Sequence, residues 1–134
     1  MPERPRDSLG RPLPLDADPA TAAPPVPSVE GLPDALVWQL AVSLLDNGMP
    51  FHAHEVFEQR WRLATSDDRG AWRAAAQWGA AATHAARGND VGASRLALRA
   101  MATLHEAPAV PAAFDVGLMS AACAALAGGT TSPA

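Results

Sequence analysis

Residues 50–87, PFHAHEVFEQRWRLATSDDRGAWRAAAQWGAAATHAAR, read as two helices folded back on each other. Pro50 suits a first helical position, because its missing N–H is one that a helix start leaves unpaired anyway. Phe51 to Ala64 then runs without a turn residue. Thr65, Ser66, Asp67, Asp68, Arg69 and Gly70 form a polar break. From Ala71 to Arg87 the chain is rich in alanine, the residue with the highest helix propensity, and Gly88 suits the left-handed position past the end.

The same punctuation extends outward. Asp34–Asn47 reads as a helix between Pro33 and Gly48, with Gln39, Ser43 and Asp46 as its narrow polar stripe. A helix that apolar is buried on most sides. In so small a chain this predicts a homo-oligomer formed through this first helix. Downstream, Asn89 or Asp90 caps a helix to about His105, with Ala93, Leu96, Ala97, Ala100 and Leu104 inward. Pro108 and Pro111 interrupt the chain. Asp115 then caps a last helix to about Ala127, with Val116, Met119, Cys123 and Leu126 inward. No sustained apolar–polar alternation marks a strand. The predicted fold is all-α, a compact up-down bundle of four to five helices with short loops.

The 134 residues suit one domain, and nine of the 13 prolines fall in the first 33 positions. Residues 1–33 are therefore expected to form a disordered, Pro-rich arm, residues 34–127 the helical domain, and residues 128–134 a flexible tail. Alanine alone supplies 31 residues, so the helices must approach closely. All ten basic residues are Arg, and the net charge is -4. Seven Arg and nine acids are mixed along residues 34–134, which argues against nucleic acid and against an anionic membrane as partners. No run of roughly 18 apolar residues escapes a charge or a proline. The single cysteine, Cys123, excludes an internal disulfide, reads as a buried apolar residue, and fits a cytoplasmic setting.

The helix after Pro50 carries the feature that breaks the pattern. Phe51, His54, Glu58 and Trp61 recur at i, i+3, i+7 and i+10, one face with a His and a carboxylate between two aromatics. Gln77, Ala81 and His84 make a similar break in the next helix. In a hairpin centred near residues 67–68, facing positions sum to about 135, so Glu58 lies level with Gln77 and His54 with Ala81. His84 is then one turn away, and His54, Glu58, Gln77 and His84 are expected to share one buried cluster. Two chemistries fit it. One is a site for a divalent metal ion of open identity, with His54, Glu58 and His84 as ligands and room for water. The other is a metal-free hydrogen-bond network that sets helix register. Glu55 points away from His54 and reads as a solvated acid or a supporting group. His52 is expected to be exposed, and Trp38, Trp72 and Trp78 to fill the core.

The run FHAHEVFEQRWR resembles the signature of a bacterial and archaeal family, the domain of unknown function numbered 309. His54, Glu58 and Trp61 match its His-x-x-x-Glu-x-x-Trp/Tyr motif, with Phe51 and Glu55 beside them. A second block also matches: Gln77, His84, Gly88-Asn89, Gly92-Ala93, Arg95-Leu96 and Arg99-Ala100. The resemblance spans about residues 36–105. It implies a small all-α fold and a metal-binding role for the His/Glu motif, and no established activity; Gln77, Glu55 and Trp61 are expected to support such a site. His52 stands where an acid is common, Arg60 where an apolar residue is common, and alanines where larger aliphatics are usual. The expectation is a helical metal-binding protein, a metal-dependent hydrolase if it is an enzyme. The alternative is a helical interaction module whose polar cluster is structural.

Overall fold

The computed structural model describes residues 5–128. Five helices follow one another: α1 (Asp34–Asp46), α2 (Pro50–Leu63), α3 (Arg69–Ala86), α4 (Asp90–Glu106) and α5 (Val116–Ala127). Among the described residues there is no strand, and an isolated bridge pairs Arg6 with Pro12. The fold is all-α. The predicted helix ends hold to within about two residues, because the residues that set them do so physically. Pro50 occupies the first turn of α2. Gly88 takes the left-handed conformation (φ 84°) that ends α3, and the Asn89 N–H then reaches back to the His84 carbonyl at 2.8 Å. Asn89 caps α4 by accepting from the Gly92 N–H at 3.0 Å, and Asp115 caps α5 by accepting from the Leu118 N–H at 3.0 Å.

Consecutive helices pack on one another, and α3 lies at the centre against α2, α4 and α5. Its alanines Ala71, Ala74, Ala75 and Ala81 are fully buried, so a backbone rather than a layer of long side chains fills the middle. Volume comes instead from aromatics. The Trp38 ring stacks on Phe114 at 4.5 Å and lies 5.8 Å from both Phe57 and Trp78. Burying one such ring is worth roughly 1.5–3 kcal/mol, so these few rings supply much of what the alanines cannot. On α5, Met119 and Cys123 are buried as expected, whereas Val116 is 42% exposed because it sits in the first turn, beyond the packed face. On α1, Val37, Trp38 and Ala41 are buried and Leu36 is exposed. No helix among the described residues is long and apolar enough to cross a membrane.

The segment expected to be a disordered arm is described over residues 5–33. It is not helical apart from a 3-10 turn at Pro19–Thr21, and it is hydrogen-bonded to α2 and to Arg87, just past the end of α3. Gln59 of α2 donates to the Pro27 carbonyl at 2.9 Å and accepts from the Val29 N–H at 3.1 Å. Arg87 donates twice to the Leu9 carbonyl. Val29 is buried in the core, and Gly10 packs so closely on Phe51 that any side chain there would collide with its ring. His52 is accordingly not exposed. It is buried under this segment, with Nε2 donating to the Pro24 carbonyl. Residues 1–4 and 129–134 lie outside the described residues, and with them most of the expected tail.

Candidate metal centre

One turn of α2 brings three ligating groups together. His54 Nε2 lies 3.0 Å from Glu58 Oε2, as i, i+4 spacing on a helix allows, and His54 Nδ1 lies 3.6 Å from Glu55 Oε1. One ligand atom from each of His54, Glu55 and Glu58 falls within 4.8 Å of the other two. All three side chains are half-buried, at 20–35% exposure. Glu58 Oε1 also receives the guanidinium of Arg62, itself mostly in solvent.

The position of this turn depends on Gly79. A Cβ at that position would lie 2.6 Å from the His54 Cα and 2.9 Å from its N. The missing side chain lets α3 come into backbone contact with α2 at the site. A glycine inside an otherwise alanine-rich helix is the signal in the sequence that marks such an approach. It also sets the register. Gly79, not Ala81, is the residue against His54, so His84 lies five residues further along α3, roughly 7.5 Å of rise. The expected cluster is therefore split. Among the described residues His84 does not join the ligand atoms of His54 and Glu58, and its Nδ1 is instead 3.0 Å from the Asn89 side-chain nitrogen at the α3–α4 turn. Glu55, read as a supporting group, stands in the cluster.

Gln77 and Trp61 do reach the site. With His54, Glu58, Arg73 and Leu96 they line a cavity of about 260 Å³. Gln77 Oε1 and Trp61 Nε1 are both buried without a hydrogen-bond partner. Leaving such an atom unpaired costs roughly 1–3 kcal/mol, so an acceptor and a donor stand ready for a water or ligand. The guanidinium groups of Arg69 and Arg73 lie over the Trp61 ring at 4.9 and 5.8 Å and hold it in place. Sequence reading passed over Arg73, because a lone Arg on an alanine-rich helix looks like solvated surface. Cys123 takes no part. It is buried on α5, and desolvation raises its thiol to about 11, which leaves it protonated and inert near neutral pH.

A family model described as a domain of unknown function, DUF309, matches residues 38–96. Over those residues the chain resembles DUF309. No curated protein and no solved structure matches the chain. The DUF309 region takes in His54, Glu55, Glu58, Trp61, Gln77 and His84 and leaves out the arm and α5.

Proposed function

We propose that the chain is a divalent-metal-binding helical protein, with the ion held on α2 by His54, Glu55 and Glu58. The observation that carries this reading is the convergence of one imidazole and two carboxylates within 4.8 Å. The neighbouring wall fits it, since the unpartnered Gln77 Oε1 and Trp61 Nε1 offer an acceptor and a donor to water beside an ion. One nitrogen and two carboxylate donors suit Mn, Fe or Zn better than a thiolate-loving ion. An ion there would lower the pKa of a bound water and so supply a nucleophile for hydrolysis. Gln77 would orient such a water, and Arg73 would face an anionic substrate.

A second reading rests on Glu58. Both of its oxygens are already engaged, one by His54 and one by Arg62, and Glu55 continues the line on the other side of the ring. That arrangement is a side-chain network within α2 with no ion. Metal content by mass spectrometry on untagged protein separates the two. Stoichiometric metal that is lost in His54→Ala and Glu58→Gln supports the site. Protein that stays empty after exposure to Mn, Fe, Zn and Ni rejects it and leaves the network.

A further inference from the structure

A larger cavity, about 420 Å³, borders a neighbouring face of α2, between the helix and the arm. Part of its wall, Arg6, Pro24 and Val26, comes from outside the DUF309 region, and the rest includes Phe51, His52 and Glu55. It is therefore built by this chain's own N-terminal segment.

Three polar groups define what fits. His52 is 3% exposed, with its Nε2 against the Pro24 carbonyl oxygen. A carbonyl only accepts, so Nε2 carries the hydrogen, and Nδ1 of the neutral ring is an acceptor. That Nδ1 is buried with no partner. Glu55, three residues on and on the same face, adds a carboxylate. Arg6 supplies the opposite sign. Its guanidinium lies 5.3 Å over the Phe51 ring and donates to the Gly10 carbonyl through Nη1, with further N–H groups in its fork. The polar atoms of Gln59 are already used on the arm backbone, which makes that wall fixed rather than adaptable. Phe51, Pro24 and Val26 supply apolar surface.

We infer that this cavity binds a small zwitterion with an apolar body, of the free amino-acid class. Its ammonium is held by Glu55 and His52 Nδ1, and its carboxylate by Arg6. An ammonium has only donors and matches the two acceptors, and a carboxylate has only acceptors and matches the guanidinium. The inference needs no metal ion: His54 and Glu58 take no part, and Glu55, the one group shared with the proposed ion site, is left free of metal in chelator.

Calorimetric titration of the full chain, in chelator so that no metal contributes, tests it. The probes are L-leucine and L-phenylalanine, each beside its N-acetyl and its amide derivative. At least one free amino acid binds one-to-one, and blocking either charged end weakens it at least tenfold. Arg6→Gln weakens the free amino acid at least tenfold and leaves the amide derivative unchanged, with unaltered circular dichroism as the folding control. Ala23→Trp, which fills the cavity without touching a charge, abolishes binding. Failure of both amino acids to bind overturns the inference, as does an N-acetyl derivative that binds equally well or an Arg6→Gln protein that keeps full affinity. Metal content is read in a separate sample, so loss of one reading leaves the other standing.

Discussion

The two sides of α2 are held by different physics. Toward α3, Ala53, Val56 and Phe57 are fully buried, and at Gly79 the two backbones touch. Toward the arm, one apolar residue, Val29, is fully buried, and side chains of α2 and the side chain of Arg87, just past α3, grip the arm's backbone instead. The first contact is non-directional and scales with apolar area. The second consists of discrete hydrogen bonds, each worth only about 0.5–1.5 kcal/mol net. The helix therefore serves as core on one side and as a rail for an extended segment on the other.

That contrast orders the consequences of substitution. Phe57→Ala empties the aromatic cluster and is expected to cost about 3–5 kcal/mol in urea denaturation. A loss no larger than that of an arm variant would erase the distinction between the two sides. Gly79→Ala comes next, at about 1–3 kcal/mol, because the added methyl must push α3 away from His54. If the metal reading holds, this variant also binds metal more weakly than wild type, which ties the site to the close approach. Gln59→Ala is smaller, about 1–2 kcal/mol, and local. Amide exchange at Val29 speeds at least tenfold while the amides of α3 keep their protection. Uniform loss of protection would show that the arm belongs to the core. The smallest effect is that of His84→Ala. It removes the contact with Asn89 and leaves metal content unchanged, whereas loss of the ion would return His84 to the ligand set.

The helices were legible in the sequence because proline, glycine and capping residues act locally. Pro50, Gly88, Asn89 and Asp115 each do in the fold what their chemistry requires. The pairing of His54 with Glu58 was legible for the same reason, being a property of one helix turn. His84 was not, since its place depends on the register between two helices. A two-residue difference in that register, set by Gly79, carries it out of reach. The burial of His52 was hidden more deeply. Proline-rich composition reports that a segment cannot form helix or ladder, and says nothing of backbone carbonyls accepting from a distant imidazole and amide. Face-counting sets the Glu55 Cβ away from His54, yet its carboxylate lies 3.6 Å from the His54 ring. A glutamate is long enough to swing back along the helix surface, so its carboxylate need not stay where its Cβ points.

Gln59 has a consequence for how this chain can vary. Its amide meets the Pro27 carbonyl and the Val29 N–H as another peptide group would, while His52 meets the Pro24 carbonyl. None of these bonds reads a side chain of the arm. Ser28, between two of the anchoring points, makes only a local hydrogen bond, accepting from the Glu30 N–H, and is therefore tolerant of change, but the count of residues between Pro24 and Val29 is not. One insertion there would put at least one anchor out of phase with α2. The arm is thus constrained in length where it is tolerant in composition, a ruler laid against the helix rather than a tether.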